Sequence, residues 1–241
     1  MSYLKDFRPK PWKDACDGTG DLSPAEHEAA RRSMIETQIH RRGIKDSAVL
    51  AAMTLVPRHE FVPAEFRKRA YEDAPLPIGE GQTISQPYMV AAMTAALHLG
   101  GGECVLEIGT GCGYQAAILS SLAKQVITIE YRSELATAAS DRLSRLGYAN
   151  VHVHCGDGTL GLPEFAPFDA ILVAAGAPAL PGPLMAQLRE GGRMVVPVGS
   201  LENQDLQLVH RTGDAFQTTV LEPCRFVPLV GAHGWKESSF R

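Results

Sequence analysis

The feature that most constrains the fold of this chain is the run Val105-Leu106-Glu107-Ile108-Gly109-Thr110-Gly111-Cys112-Gly113-Tyr114, in which an apolar strand passes into alternating glycines and then into a helix. Strand, glycines and helix in immediate succession bring backbone N–H groups and a helix N-terminus up to a nucleotide-like ligand at the edge of an α/β sheet. A dinucleotide fingerprint G-x-G-x-x-G would need its third glycine where this chain has Tyr114; here it comes one place early, at Gly113. Glu107, two residues before Gly109, would repel a pyrophosphate but suits a cationic methionyl head. The ligand this pattern fits is S-adenosylmethionine. A tight turn without a ligand is the competing reading.

Two later strand ends supply the rest of such a site. Val126-Ile127-Thr128-Ile129 reads as a second buried strand and ends in Glu130, about 20 residues beyond Gly109, where an acidic side chain is expected to bind ribose hydroxyls. The third strand, Val151–Cys155, runs into Gly156-Asp157-Gly158. That turn can place a carboxylate beside the adenine amino group while its glycines let backbone approach the ring. A lone Gly-Asp-Gly is mostly a plain turn, so its weight comes from the order of all three strand ends. The expected cofactor residues are therefore Glu107, Gly109, Gly111, Cys112, Gly113, Glu130, Asp157 and Gly158.

Punctuation along the chain gives the organisation. Residues 1–22 lack periodicity and read as a mobile N-terminal tail, after which 23–241 form a single domain: a helical and loop cover over 23–86 and a cofactor-binding sheet over 87–241. Ser23-Pro24-Ala25-Glu26 is a capping box with proline at the first helical position, opening a helix to about Arg42 that stops at Gly43. Asp46 caps a second helix through Met53, and Pro57–Gln82 is mostly loop with a short helical piece near Ala64–Tyr71. Beyond Pro87, strands and helices alternate, with further strands at Phe168–Ala174 and Arg193–Pro197 and antiparallel additions at Asp205–Arg211 and Thr218–Pro228. This pattern predicts a doubly wound, mostly parallel, seven-stranded α/β sheet of the class I S-adenosylmethionine-dependent methyltransferase type.

Composition narrows the function classes. A chain of 241 residues that is 45% hydrophobic can bury one substantial core, and no break suggests a second. A net charge of −4 offers no footprint for a phosphate backbone, which argues against nucleic acid as a partner. The five cysteines have no C-x-x-C spacing, and there is neither a signal-peptide core nor an 18-residue apolar run. The expectation is a reduced cytoplasmic protein with no membrane partner, acting as a monomer.

The segment Ala74-Pro75-Leu76-Pro77-Ile78-Gly79-Glu80-Gly81-Gln82-Thr83-Ile84-Ser85-Gln86-Pro87-Tyr88 resembles the signature of the protein-L-isoaspartate (D-aspartate) O-methyltransferases. Val56-Pro57-Arg58-His59-Glu60-Phe61-Val62-Pro63 and Arg225-Phe226-Val227-Pro228-Leu229 do so as well, and the likeness runs in family order from about residue 30 to 235. The resemblance implies methyl transfer from S-adenosylmethionine to the free carboxylate of L-isoaspartyl, and by the family's name D-aspartyl, residues in damaged proteins and peptides, a step that initiates repair. It implies Ser85 as the active-site residue and places Thr83 with the cofactor residues. It also implies a substrate groove of Ile84, Ser85, the Ala174–Pro178 loop with Ala175, and Arg225, Phe226 and Val227. Where the family usually has serine in the glycine loop, this chain has Cys112.

The chemistry can be derived separately. Methyl transfer is an in-line displacement from a sulfonium, so the protein mainly aligns acceptor oxygen, carbon and sulfur. A carboxylate acceptor, with a pKa near 4, is already ionised at pH 7 and needs no general base. What remains is a polar donor to hold it and walls that exclude water, for which Ser85, Thr83 and Gln86 are the candidates. Ser85 is open to a second role as N-cap of the helix beginning at Pro87, and Arg225 to a second reading as a solvated strand residue. Cys112 reads as a small packing residue rather than a reactive thiol. His152 and His154 share a strand face without a third ligand, so no metal site is expected. Pro223-Cys224 imitates a nucleophile dipeptide but lies far from the loop such chemistry needs.

Overall fold

The computed structural model describes residues 21–239, so the tail expected over 1–22 lies outside the described residues except for Asp21 and Leu22. Helix α1 (Pro24–Met34) opens with the expected capping box, Glu26 N–H donating to Ser23 Oγ and Ser23 N–H to the Glu26 carboxylate. The coil does not stay regular to its stop: one π turn (Ile35–Ile39) and one 3-10 turn (His40–Arg42) follow, and Gly43 at φ +103° ends it. Asp46 caps α2 (Ser47–Leu55) by accepting from the N–H groups of Ala48 and Val49. The cover is keyed by a stack of His27 on His59, ring centres 3.8 Å apart. Burial holds His59 well below its usual range, at about 3, so a neutral ring sits within 2.7 Å of the Tyr71 hydroxyl.

Where the sequence suggests mostly loop before Gln82, the chain forms a small antiparallel hairpin, β1 (Leu76–Gly79) with β2 (Gln82–Ile84). Both arms are too short, and Pro77 too discouraging, for a periodic signal. The main fold then follows as α3 (Pro87–Ala96), β3 (Cys104–Ile108), α4 (Tyr114–Ser120), β4 (Gln125–Glu130), α5 (Ser133–Arg145), β5 (Val151–Cys155), β6 (Phe168–Val173), α6 (Gly182–Ala186), β7 (Leu188–Gly199), β8 (Gln204–Thr212) and β9 (Ala215–Cys224).

The seven strands lie in the order β5-β4-β3-β6-β7-β8-β9, parallel from β5 to β7 and antiparallel for β8 and β9. Order reverses at β3, which has β4 on one side and β6 on the other, and a crevice opens beyond the carboxyl ends of strands at such a switch point. Alternation assigns the two faces. Leu106, Ile108, Ile127, Ile129, Ile171 and Val173 pack on one. Val105, Val126, Ala170 and Leu172 pack on the other, in a core that continues under the N-terminal cover through Met34, Phe61, Ile84 and Val90.

The last strand stops at Cys224 rather than reaching Pro228. Residues 225–229 leave the main-chain ladder with β8 because their hydrogen bonds go to a side chain and to the loop after β6: Phe226 N–H to Gln204 Oε1 (2.7 Å), Gly176 N–H to the Val227 carbonyl (2.8 Å) and Leu229 N–H to the Gly176 carbonyl (2.9 Å). The chain end is thereby pulled across the mouth of the switch-point crevice.

Candidate active site

A cleft lined by the ends of β3 and β4, the glycine loop and the segment after β9 occupies that crevice. Its floor is the glycine loop, where Gly109, Gly111 and Gly113 adopt φ of +90°, +53° and +89°, a region in which side chains other than glycine are strained. Gly113 also forms the N-terminal boundary of α4, fixing the sharp entry from loop to helix. At the third strand end Gly158 is required by close approach, since a Cβ there would lie 2.6 Å from Ile108 Cγ2.

Glu130 is the best-formed polar group in the cleft. It is buried, lines the cavity, and is oriented by Gly111 N–H to Oε2 (2.8 Å) and Arg132 N–H to Oε1 (3.0 Å). Those bonds leave lone pairs on both oxygens, which suits the pair of hydroxyls on a ribose. Around it Ile108, Ile129, Leu229 and Val230 supply apolar walls suited to a purine. An oriented carboxylate, a main-chain floor and an apolar wall fit an adenosine-bearing cofactor.

Two expected cofactor residues stand elsewhere. Glu107 does not line the cleft: strand alternation sends its side chain to the face opposite Leu106 and Ile108, where it is fully buried. Thr128 donates to its Oε2 (2.6 Å), Thr128 itself shares a hydrogen bond with the Thr110 hydroxyl (2.7 Å), and Oε1 has no partner. Burial first, and then the Glu130 charge, push Glu107 up to about 8, so the carboxyl is protonated at neutral pH. Asp157 is likewise not on the cleft wall. Its Oδ1 caps the turn after β5 through Thr159 N–H and hydroxyl, and its Oδ2 accepts from Ala232 N–H at 2.8 Å.

Gly109, Gly111, Cys112, Glu130 and Gly158 do line the cleft, as do Thr83, Ile84, Ser85, Ala175 and Val227. Gly113 stands just behind, packed against Leu143. The Cys112 thiol is buried and raised by that burial, and its carbonyl accepts from Arg142 (2.9 Å), which agrees with a packing residue. Cys224 is held at about 12 by burial and by Asp205 and Glu222, far from thiolate character.

A second cleft abuts the first. It is bounded by Arg42, Tyr88, Met89, Glu222, Arg225 and Phe226, and shares Thr83, Ser85, Ala174, Val227 and Pro228 with its neighbour. Arg225 is exposed on this cleft rather than on a strand, and Phe226 is buried beside it. Ser85 faces both clefts. The boundary residue of α3 is Gln86, with no side-chain cap, so the serine hydroxyl is not a helix cap.

The model of the protein-L-isoaspartate(D-aspartate) O-methyltransferases matches residues 29–234. The chain belongs to this family. Among relatives named protein-L-isoaspartate O-methyltransferase, that of Roseiflexus castenholzii is 57% identical over 205 residues, covering 85% of this chain and 94% of the relative. A second, from Syntrophobacter fumaroxidans, is 54% identical over 209 residues, covering 87% and 98%. A solved protein-L-isoaspartate O-methyltransferase superposes with a TM-score of 0.76 at 32% identity, over 85% of this chain and 67% of that one. A Plasmodium falciparum structure described as a putative member, in complex with S-adenosyl-L-homocysteine, has a TM-score of 0.73 at 24% identity over 83% and 98%, a likeness of fold.

Several lining residues of the two clefts carry no sequence signal of their own. Tyr131 and Arg132 follow Glu130 directly and were legible only as its neighbours; Gln115, Leu229 and Val230 reach the cofactor cleft, and Arg42, Tyr88 and Glu222 the second one, through tertiary structure alone. Among the described residues no helix is long and apolar enough to cross a membrane.

Proposed function

We infer that the protein transfers a methyl group from S-adenosylmethionine to the free carboxylate of L-isoaspartyl residues in damaged proteins and peptides, initiating their repair. The observation that carries this reading is the junction of the two clefts at Ser85. One side is furnished for an adenosine-bearing cofactor and the other is an open groove with extended main chain along its wall.

When bound, S-adenosylmethionine supplies a methyl already activated by the sulfonium. The glycine loop and Glu130 hold the donor side. Ser85, with Thr83 beside it, offers the hydroxyl and main chain that orient the acceptor carboxylate toward the shared boundary, so that the protein's work is alignment at near-attack distance. Ile84 and Phe226 are buried at this boundary and help exclude water. Ala174, Ala175, Val227 and Pro228 present backbone rather than functional side chains, which suits an acceptor whose own main chain runs through its side-chain methylene. The free thiols Cys104, Cys112, Cys155 and Cys224 favour a cytoplasmic setting.

The test is initial-rate transfer of labelled methyl to matched peptides that differ only in an isoaspartyl or a normal aspartyl linkage. Strong preference for the isoaspartyl peptide is expected, with a rate that stays level from about pH 6 to 8 because the acceptor is already ionised there. Equal rates on the two peptides would replace the repair reading by that of a general carboxyl methyltransferase. A steep inflection near pH 7 would exclude a carboxylate acceptor.

A further inference from the structure

The largest fully buried side chain is a cation. Arg58 has 0% exposure, and the mechanism above gives it no part. Its Nε donates to the Ala70 carbonyl at 2.7 Å and its Nη2 to the Ser85 carbonyl at 2.7 Å, while Nη1 has no hydrogen-bond partner. The guanidinium carbon lies 4.9 Å from the centre of the Tyr114 ring, and Tyr114 lines the cofactor cleft. The polar groups beside it are Tyr114, Cys112 and Tyr71, all neutral because burial raises them, and among the described residues no carboxylate forms an ion pair with it.

A buried guanidinium without a counter-ion is expensive, and such charges are ordinarily paired. Tying two carbonyls together does not by itself require a buried charge, since neutral N–H groups also donate, though less strongly. The anion nearest to hand, on the methyl-transfer reading, is the acceptor carboxylate itself, brought to the residue whose carbonyl Arg58 holds. We propose that Arg58 is a positioning residue for the acceptor: it pins the Ser85 main chain at the junction of the clefts, and its unpaired charge, one residue behind the wall, favours a carboxylate over a neutral group there. This rests on the carboxyl-methylation reading and goes beyond it in assigning the source of the anion preference.

Two experiments bear on it. In Arg58→Met, which removes charge and donors at similar volume, the KM for an isoaspartyl peptide should rise at least ten-fold while S-adenosylmethionine affinity by calorimetry stays within two-fold. Arg58→Lys, which keeps the charge, should recover part of the loss. Unchanged peptide kinetics in a folded Arg58→Met protein, or cofactor affinity falling in step with peptide KM, overturns the proposal. The second experiment needs no variant. Wild-type turnover of one isoaspartyl peptide is inhibited competitively with a second isoaspartyl peptide and with the same peptide carrying a neutral amide in place of the free α-carboxylate, at low and high salt. A buried cation is poorly screened, so the preference for the carboxylate should persist between about 0.05 and 0.5 M NaCl. A preference abolished by salt assigns it to the exposed arginines Arg42 and Arg225 and overturns the proposal even if Arg58→Met fails to fold. Wild type inactive on every isoaspartyl peptide removes the underlying reading, whereas active wild type with an indifferent Arg58→Met removes this inference alone.

Discussion

Replacing Glu107 by glutamine should leave the cofactor-free protein as stable as wild type near pH 4 and make it progressively more stable as pH rises, by about 1.4 kcal/mol at about pH 5.5 and about 4 kcal/mol near pH 7.5. In the folded chain the carboxyl is fully buried, one oxygen accepts from Thr128 at 2.6 Å, the other has no partner, and burial followed by the Glu130 charge raises it from 4.5 to about 8. The unfolded chain titrates the same group at its ordinary value. Between those two values the folded state therefore holds one proton more than the unfolded state, and stability falls as pH rises, by about 1.4 kcal/mol per pH unit for this single group. Below about pH 4.5 and above about pH 8 the two states are equally protonated, so the slope vanishes there. Across two pH units inside the window the loss comes to about 2.7 kcal/mol. Glutamine keeps the shape and an oxygen for the Thr128 hydroxyl, but has no proton to lose. Urea unfolding of both proteins at about pH 5.5, 6.5 and 7.5, compared at constant m, isolates the group because all other titrations cancel in the difference. Parallel pH dependences for the two proteins would refute the reasoning, because they would mean that Glu107 is ionised in the fold and faces a positive partner that the burial argument leaves out.

Glu130→Ala should weaken S-adenosylmethionine binding by roughly 1.5–3 kcal/mol for each charge-assisted ribose bond lost, read by calorimetry on protein that still gives a cooperative melt; unchanged affinity would remove the carboxylate from the cofactor site. Ser85→Ala should cut turnover on an isoaspartyl peptide by a factor of about 10²–10³ at constant cofactor affinity. Its melting temperature should hardly move, because the hydroxyl does not cap α3; an earlier melt with full turnover would make the residue structural.

The cofactor half of the site was largely legible in the sequence because it is built from local signals. A strand, a glycine loop and the next strand's terminal acid each declare themselves within a few residues, and Gly109, Gly111 and Glu130 stand together as their spacing suggests. Glu107 and Asp157 do not line the cleft, which was not legible for a shared reason: position at a strand end says that a side chain is near the crevice but not which way it points. For Glu107 the alternation of β3 decides, and for Asp157 a competing donor 75 residues away, the Ala232 N–H, takes the carboxylate. The capping box of α1, the Asp46 cap of α2 and the stop at Gly43 were readable for the same local reason, whereas the β1–β2 hairpin and the early end of β9 depend on pairing partners that no window of sequence contains.

The acceptor side was less legible because its wall is assembled from three distant pieces, and two buried polar side chains do the assembling. Arg58 holds the carbonyl of Ser85 at the end of β2. Gln204, 4% exposed at the start of β8, accepts from Phe226 N–H through Oε1 and donates from Nε2 to the Ser200 carbonyl, fixing the segment after β9. Gly176 closes the arrangement, since a Cβ there would lie 2.9 Å from the Gln204 amide carbon and would push the loop after β6 away from Val227. Each contact ends on main chain. A wall held by its backbone leaves hydrogen-bonding groups that do not depend on side-chain identity, and an isoaspartyl acceptor, whose distinguishing feature is a rerouted main chain, presents the same kind of group in return. Arg58 and Gln204 therefore look like ordinary core polar residues in the sequence, and their part becomes visible only once the two segments they hold are seen to face each other across one groove.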